Sequence, residues 1–442
     1  MGGDTFRVEN FGCRANQADG AAIARGLAAA GWREAARGEL VIFNTCTVTA
    51  AADAEARQAI RRLQREQPGA RIWVTGCYAE RDPEALAGLG AERVLGNGAK
   101  GHLAELAGSP APRAQSGITA PRSGREGPPD AAGALTSGSR PLAPTRTRPL
   151  IKVQDGCGNA CSFCVIPAVR GGLRSRPAAA VAAEIAALTV AGAQEVVLTG
   201  IHLGQWGRDL PGRPGLPDLL RAILAASAIA RLRLSSIEPM SWTGELIAMM
   251  AADHRIAAHA HIPLQSGSDA VLRRMRRRYR PAHYVQRVGA IRRELPDAAI
   301  GADVMAAFPG ETEAEFEETL AFIASLPLTY LHAFTYSPRP GTEAARRLGA
   351  PGWEAVPPGL AAARAQRLRA VGAQLRRDFA RGFLGRELEV LTLAGTQGGF
   401  TPALSANYIE VGLTGAWPAN RQCSARAAAW DGERLLAVSI PG

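Results

Sequence analysis

The chain has 442 residues, of which 47% are apolar and 21% are charged. That length allows about three domains of roughly 150 residues each, and the apolar fraction is enough to give each of them a buried core. No apolar run approaches the ~18 residues that a membrane span needs, so the composition excludes a transmembrane protein as well as a wholly disordered one. The N-terminus has no basic segment followed by an apolar core, and we therefore expect a cytoplasmic location.

The chain is basic, with 51 Lys and Arg against 40 Asp and Glu and a formal net charge of +11. Nearly all of the positive charge is arginine, since Lys100 and Lys152 are its two lysines. Such a balance fits a polyanionic partner such as a nucleic acid. An arginine-rich genome composition would produce the same count, so charge alone leaves the partner open.

The front part of the chain alternates short apolar runs with helical patterns. In chain order these lie at residues 5–9, 18–30, 40–44, 51–66 and 71–75. The alternation predicts an open parallel α/β sheet over residues 1–104. Each apolar run leads directly to a cysteine, namely Cys13, Cys46 or Cys77. Because loops that leave the carboxyl ends of parallel strands share one edge of the sheet, we expect these three thiols to converge.

A linker is predicted next. Residues 105–148 are rich in Pro, Gly, Ser and Arg and show no apolar period. That composition is typical of a flexible connection between domains.

The back part resumes the alternation, with six strand candidates at residues 150–154, 195–199, 231–235, 257–262, 299–305 and 331–336. Helical patterns separate or follow them at residues 178–191, 216–226, 244–252, 282–294, 313–325 and 359–380. Six βα units in a row predict a partial (β/α)6 barrel over residues 149–382, with its chemistry at the carboxyl ends of the strands. Shorter β-rich runs over residues 383–442 predict a small β-barrel at the end. They lie at residues 387–392, 408–411, 424–430 and 435–440.

Three closely spaced cysteines, Cys157, Cys161 and Cys164, follow the first strand of the predicted barrel. Their spacing also fits one face of a helix, but the glycines and asparagine around Cys157 and the nearby Pro167 disfavour a helix there. Three thiolates can hold three irons of a [4Fe-4S] cluster, whereas a closed structural zinc site needs four ligands. The loop therefore predicts a cluster with one iron open to a substrate.

The order of motifs along the chain resembles the radical S-adenosylmethionine methylthiotransferases. The motifs are GCRANQAD, NTCTVTA, GCYAERDP, QDGCGNACSFCVIPAVRGGLRSR, LTGIHLGQWGRDL, SSIEP, IPLQSGSD, FPGETEAEF and YSPRPGT. They span nearly the whole chain outside the linker. The NTCTVT and HLG-WGRDL segments are most similar to the branch that acts on N6-threonylcarbamoyladenosine in tRNA, beside the anticodon.

The resemblance implies two [4Fe-4S] clusters with different tasks. The cluster on Cys157, Cys161 and Cys164 would bind S-adenosylmethionine and cleave it to a 5′-deoxyadenosyl radical. The second cluster, on Cys13, Cys46 and Cys77, would carry or deliver sulfur, which a second S-adenosylmethionine methylates. A C–H bond at C2 of the adenine would thus become C–S–CH3. Taken singly, each of the early cysteines is also compatible with a small buried residue.

Contacts to S-adenosylmethionine are expected at strand ends that face the barrel mouth. By resemblance and position they are Phe163, Thr199, Gly200, Ser235, Gln265 and Asp303. Ala307 stands where the family usually has Gly, and its methyl group puts a close backbone contact there in doubt. Trp206, usually Tyr, is a milder change. Four histidines near strand ends receive no role, because such residues are often hydrogen-bonded in a core; they are His202, His259, His261 and His332.

An arginine-rich run at residues 273–280 is the candidate RNA contact, since no acidic residue lies between Val271 and Arg293. The run predicts phosphate contacts, with a solvated helix face as the alternative. The residues expected to make them are Arg273, Arg276, Arg277 and Arg278, with lesser contributions from Arg174, Arg176 and Arg339. The terminal β-module resembles the TRAM barrel that grips tRNA in this family, and Cys423 within it is expected to be a packing residue.

We therefore expect a tRNA methylthiotransferase that takes electrons from a donor such as flavodoxin or ferredoxin and has no membrane partner. Two rivals keep the chemistry and change the substrate, to isopentenyladenosine tRNA or to an aspartate of a ribosomal protein. A rival of another class is a non-catalytic RNA-binding protein whose cysteines hold zinc. Iron and sulfide analysis separates that rival from the enzyme.

Overall fold

The computed structural model describes residues 5–108 and 146–440. Most of the predicted linker, residues 109–145, lies outside the described residues. Residues 105–108, which were expected to belong to it, instead continue a helix of the first domain. Within the described part, no helix is long and apolar enough to cross a membrane.

The first domain is the predicted open parallel sheet. Its strands are β1 Thr5–Asn10, β2 Arg33–Glu34, β3 Leu40–Thr45, β4 Arg71–Gly76 and β5 Arg93–Leu95. Its helices are α1 Arg14–Ala29, α2 Ala50–Glu66, α3 Cys77–Arg81, α4 Pro83–Ala87 and α5 Leu103–Gly108, with a 3-10 turn at Asn97–His102. The strand order is β2-β1-β3-β4-β5. Buried side chains alternate between the two faces of β3, so Leu40 packs with α1 and Val41 with α2. Helices therefore cover both faces of the sheet.

The central domain is the predicted partial barrel. Its strands are β6 Leu150–Asp155, β7 Arg174–Ser175, β8 Glu195–Gly200, β9 Arg231–Leu234, β10 His259–His261, β11 Ala299–Ala306 and β12 Tyr330–Thr335. Its helices are α6 Ile166–Arg170, α7 Ala178–Val190, α8 Leu216–Ala226, α9 Gly244–Ala252, α10 Asp269–Arg274, α11 Pro281–Glu294, α12 Glu313–Ala324, α13 Glu343–Arg347 and α14 Pro358–Arg381, with 3-10 turns at Leu203–Gln205 and Pro239–Ser241.

Six parallel strands form the barrel wall in two groups. The first group is β6-β8-β9, with β7 antiparallel at its edge, and the second is β10-β11-β12. A parallel bridge between Leu232 and Ile256 joins the groups. No pairing among the described strands joins β12 back to β6, so the barrel is open on that side.

The barrel interior is polar, which the sequence patterns did not predict. Leu232 and Leu234 of β9 pack outward into the main hydrophobic core, so the alternating Arg231 and Arg233 face inward. Arg233 is buried and donates from Nε to the buried carboxylate of Glu195 at 2.8 Å. Paired charged side chains therefore occupy this part of the interior, where barrels are usually filled by apolar layers.

Helix α1 of the first domain packs against the barrel strands. It contacts β6 and β8. Its buried Asp19 forms an ion pair with Lys152 of β6, and Arg14 donates to the hydroxyl of Tyr408 at 3.2 Å. Because Cys13 immediately precedes this helix, the packing also fixes where the first early cysteine lies.

The terminal domain is a closed five-stranded barrel, as predicted. Its strands are β13 Glu387–Thr392, β14 Phe400–Ser405, β15 Glu410–Thr414, β16 Gln422–Trp430 and β17 Leu435–Ser439, in the order β13-β14-β15-β17-β16. Cys423 packs against its core. The carbonyl oxygens of Ser405 and Ala406 accept hydrogen bonds from Arg233, so this module docks on the central domain.

Candidate active site

The loop that carries Cys157, Cys161 and Cys164 is irregular, as the glycines around it predict. Gly156 has φ +70°, and a Cβ there would lie 1.8 Å from the carbonyl oxygen of Gly172. Glycine is therefore required for this close approach. The Cys157 amide donates to the carbonyl of Gly171 at 3.0 Å, and the Asn159 amide donates to the Cys157 sulfur at 3.4 Å. Backbone groups thus hold the loop open and direct one N–H at a sulfur.

Arg277 is part of this cysteine loop's surroundings and not of an RNA surface. Its side chain is buried, forms an ion pair with Glu238, and donates from Nη1 to the Cys161 sulfur at 3.3 Å. The prediction that Arg277 contacts RNA was therefore wrong, because a guanidinium enclosed among protein groups cannot reach a phosphate. A cation beside the three sulfurs offsets part of the negative charge that they carry as thiolates.

The three thiols of this loop influence one another. Burial raises the pKa of Cys164 to about 12, and the neighbouring Cys161 and Cys157 add to that rise. Burial also raises the pKa of Cys157. Ionising Cys157 and Cys164 therefore needs a compensating cation, which is the role that iron plays in a cluster.

The three early cysteines come together at the carboxyl ends of β1, β3 and β4. Cys13 precedes α1, Cys46 follows β3, and Cys77 begins α3. A Cβ on Gly12 would lie 2.4 Å from the Cys46 sulfur, so the loop before Cys13 touches Cys46. Burial raises the pKa of Cys46 to about 11, and Cys13 and Cys77 add to the rise. Cys13 is the solvent-exposed member, whereas Cys46 and Cys77 are buried.

A buried arginine connects the two cysteine trios. Arg170 donates from Nε to the Cys77 sulfur at 3.1 Å and from Nη1 to Asp155 Oδ1 at 2.9 Å. Asp155 lies two residues before Cys157. From Nη2, Arg170 also donates to Asp19 Oδ2 at 3.1 Å. The side chain has no exposed surface, so one guanidinium joins the first domain to the loop of the barrel.

Lysines complete this buried charge network. Lys100 donates to Asp19 at 2.7 Å, and Lys152 donates to Asp155 at 2.7 Å. Burial alone would raise the pKa of Asp19, but the three surrounding cations lower it to about 2. The two lysines of an otherwise arginine-based chain both lie here. That rarity was a signal in the sequence that could have marked them as site residues.

The predicted S-adenosylmethionine contacts lie around the mouth of the barrel. Thr199 and Gly200 end β8, and Ser235 directly follows β9. Ser235 Oγ and Gln265 Oε1 are buried and have no hydrogen-bond partner among the described residues. Because buried polar atoms are normally paired, these two fit a site that receives a polar ligand. Asp303 lies within β11 and faces His261 and His332 instead of a strand end.

Aromatic packing and a strained residue flank the same mouth. Phe163 packs edge-on against Phe308, with ring centroids 6.3 Å apart. Ala307 has φ +62°, a conformation that explains why the family usually has Gly at this position. Its amide donates to Glu311 at 2.7 Å, a hydrogen bond that holds the strained turn.

The remaining members of the arginine run are on the surface. Arg273, Arg276 and Arg278 are exposed. Arg273 pairs with Asp269 at 2.7 Å and Arg276 with Glu343 at 2.6 Å, so the acidic partners come from outside the arginine-rich run. Arg339 was expected to contribute to RNA contact, but it is buried and bonded to Thr47 and Asp53 of the first domain.

Comparisons with known proteins agree with this geometry. Residues 151–323 match the Radical SAM superfamily, and residues 5–96 match a family described as Uncharacterized protein family UPF0004. A radical S-adenosylmethionine methyltransferase from Kitasatospora setae has a similar fold, with a TM-score of 0.53, 18% identity and coverage of 74% of this chain and 72% of that chain. The barrel with its three-cysteine loop thus defines a radical SAM enzyme, a class that uses a [4Fe-4S] cluster and S-adenosylmethionine.

Curated relatives identify the family to which the chain belongs within the radical SAM enzymes. The threonylcarbamoyladenosine tRNA methylthiotransferase of Rickettsia prowazekii is 34% identical, with 92% of each chain covered. The enzyme of the same name from Bacillus subtilis is 35% identical over 88% of this chain and 84% of its own length. The tRNA-2-methylthio-N6-dimethylallyladenosine synthase of a Parafrankia species is 34% identical over 88% of this chain and 79% of its own. The chain belongs to the radical SAM methylthiotransferases.

Proposed function

We propose that this chain transfers a methylthio group to C2 of N6-threonylcarbamoyladenosine in tRNA. The observation that carries the proposal is the connection between the two cysteine trios through Arg170, which contacts Cys77 on one side and Asp155 beside the Cys157 loop on the other. Relatives of similar length with the threonylcarbamoyladenosine name support the choice of nucleoside.

The first cluster would be held by Cys157, Cys161 and Cys164, with Phe163, Thr199, Gly200, Ser235 and Gln265 around S-adenosylmethionine. When bound, the pair supplies a 5′-deoxyadenosyl radical. The chain's own part is to hold the loop by backbone hydrogen bonds, to place the Arg277 N–H on a sulfur, and to offer the unpaired Ser235 and Gln265 oxygens to the ligand. Asp303 is better placed for the substrate than for this ligand.

A second [4Fe-4S] cluster would be held by Cys13, Cys46 and Cys77. When bound, it carries or delivers the sulfur that is transferred. The donor set fits such a group, because three thiols converge, the exposed Cys13 leaves the site open to solvent, and Arg170 donates to the Cys77 sulfur. The same arginine packs the first domain against the barrel, so it also keeps the two trios in one assembly.

The RNA partner would bind through exposed arginines. Arg273, Arg276 and Arg278 lie together on α10 and the turn that follows it, and the terminal β-barrel adds a second contact. Adenosine in a single-stranded anticodon loop can be turned out of its stack at modest cost. The electron donor would be a flavodoxin or ferredoxin, and the reaction would take place in the cytoplasm.

Mass spectrometry of tRNA nucleosides tests the proposal. Reconstituted protein with S-adenosylmethionine and a reductant should add a methylthio mass to N6-threonylcarbamoyladenosine. A methylthio product found on isopentenyladenosine alone, or on a ribosomal peptide, would show that the substrate is that molecule and not N6-threonylcarbamoyladenosine. Colourless protein that contains zinc and no iron would contradict the assignment of the chain as an iron–sulfur enzyme.

A further inference from the structure

Three polar side chains meet inside the barrel on neighbouring strands. His261 of β10, Asp303 of β11 and His332 of β12 each place a ligand-type atom within 4.8 Å of the other two. His261 Nε2 lies 3.4 Å from Asp303 Oδ1, and His332 Nδ1 lies 3.3 Å from the same oxygen. We name this set the His–Asp–His group.

The group has a buried wall and an open side. His261 is 5% exposed, whereas the His332 side chain is 46% exposed. His261 Nδ1 lies 2.7 Å from Ser236 Oγ, which fixes the ring, while its Nε2 is buried and has no hydrogen-bond partner of good geometry among the described residues. A buried nitrogen without a good partner beside a half-exposed imidazole is the arrangement expected of a subsite that a polar ligand completes.

Short connections link the group to both cysteine trios. Ser236 lies two residues before Glu238, which pairs with Arg277 at the Cys161 sulfur. On the other side, β12 carries His332 and leads to Ser337, whose hydroxyl accepts from the amide of Ala50 close to Cys46. Short chain segments therefore connect the group to residues near each cysteine trio, which fits a role in presenting the base.

We propose that the His–Asp–His group is the subsite for the N6 substituent of the substrate base, and that His332 is its specificity-determining residue. The inference rests on the proposed function and adds the residues that select the substituent. A threonylcarbamoyl group carries a carboxylate and a hydroxyl, whereas an isopentenyl group carries neither. Asp303 orients His332 through Nδ1, so that Nε2 is free to hydrogen-bond the carboxylate or the hydroxyl of the substituent.

Discrimination follows from what each substituent leaves unpaired. A site built to hydrogen-bond a polar group rejects an analogue that lacks it, because the polar protein atoms then stay buried without partners. An isopentenyl group would leave His261 Nε2 in that state and would offer no hydrogen-bond partner to the half-exposed His332 Nε2. The threonylcarbamoyl group would satisfy them.

The test compares binding of three anticodon stem-loops that differ only at the modified adenosine. They carry N6-threonylcarbamoyladenosine, isopentenyladenosine or unmodified adenosine, and binding is measured on cluster-loaded protein without reductant, so that no turnover occurs. The change His332→Leu should weaken the first stem-loop about 10- to 100-fold and leave the unmodified one unchanged. His332→Gln, which keeps a polar end, should restore part of the preference. His283→Ala, on the outer helix α11, is the matched control.

Two outcomes would overturn the inference. Equal losses for the modified and unmodified stem-loops, or no loss at all, would show that His332 does not read the substituent. One equivalent of zinc or another non-iron metal that is present in wild-type protein and lost in His332→Leu would make the group a metal site instead. Failure of the proposed function is a separate result, since wild-type protein would then form no methylthio product from the first stem-loop whatever its binding preference.

Discussion

Arg170 shows how one side chain can serve both the fold and the site. With Lys100 and Lys152 it brings three positive charges to a buried network whose carboxylates, Asp19 and Asp155, bring two negative ones. The one positive charge in excess lies beside the Cys77 sulfur, to which Arg170 donates. The network therefore places a cation and a hydrogen-bond donor next to the early cysteine trio.

Replacing Arg170 with Leu should weaken the contact between the first domain and the barrel. Two buried carboxylates would lose a partner each, and breaking such a buried pair costs about 3–5 kcal/mol. Thermal unfolding should show a lower midpoint. The reduction potential of the proposed second cluster, followed by electron paramagnetic resonance, should fall because a hydrogen bond to its sulfur ligand is lost. Arg61→Leu, an exposed arginine on α2, is the control. An unchanged reduction potential would contradict the proposed contact between Arg170 and the cluster.

The lowered pKa of Asp19 predicts that the folded protein loses stability at low pH. Its pKa is lowered to about 2 in the folded chain, against 3.8 for the ordinary side chain. A depressed folded-state pKa gives stability that is complete above the unfolded pKa and is lost as pH falls through the folded one. The free energy of unfolding of cluster-free protein should therefore drop by about 2 kcal/mol from this residue between about pH 4 and pH 2. Asp19→Asn should flatten that part of the profile, and a profile identical to that of the wild type would contradict the assignment.

At the scale of elements, the sequence was informative where strands end. The alternation of apolar runs and helical patterns predicted the first sheet and the barrel, and it placed the cysteines at strand ends because that rule depends only on chain direction. Strand β14 was missed, since Pro402 interrupts its short run and proline is typical of loops and edges. Strands β2 and β7 have two residues each and are too short to show a period.

Side-chain partners across elements could not be predicted. The buried position of Arg277 depends on Glu238 and Cys161, which lie 39 and 116 residues away along the chain. The orientation of the His332 ring likewise depends on Asp303 of the neighbouring strand. Local sequence patterns carry no information about such long-range pairs. The sequence therefore pointed to the cysteines of the candidate site but not to the residues that contact them.

The two strand-end loops should be separable by mutation. Cys161→Ala removes a ligand beside Arg277 and should abolish reductive cleavage of S-adenosylmethionine. Cys46→Ala lies in the other trio and should leave that cleavage largely intact while methylthio product disappears. Chromatography of 5′-deoxyadenosine and of nucleosides from the same reaction measures both. Normal tRNA modification by both variants would show that the ligand assignments are wrong.

The molecule as a whole is a barrel enclosed by two other domains. Helix α1 packs against β6 and β8, and the carbonyl groups of Ser405 and Ala406 in the terminal module accept hydrogen bonds from Arg233. The exposed arginines of α10 and of the turn that follows it belong to the central domain. We therefore expect RNA binding to depend on a surface of the assembled chain rather than on one motif.

Salt dependence of tRNA binding measures that surface. Replacing Arg273, Arg276 and Arg278 together with Ala should weaken binding and reduce the slope against salt concentration by up to about three phosphate contacts. Arg277 is left intact because its side chain is buried at Cys161. Arg33→Ala, Arg37→Ala and Arg93→Ala in the first domain give a control with the same loss of charge. If the two triple variants show the same slope, the run on α10 does not contact the RNA backbone.

Helix α1 has one further consequence, because it begins at Cys13 and also lies against β6. Movement of the helix away from the barrel would displace Cys13 from Cys46 and Cys77, and a metal bound by all three would hold the helix in place. Metal binding by this trio and contact between α1 and the barrel are therefore coupled in one equilibrium. If oxygen removes the proposed second cluster, the first domain should accordingly separate in part from the barrel, and the barrel interior should become accessible to protease or solvent exchange well before either domain unfolds.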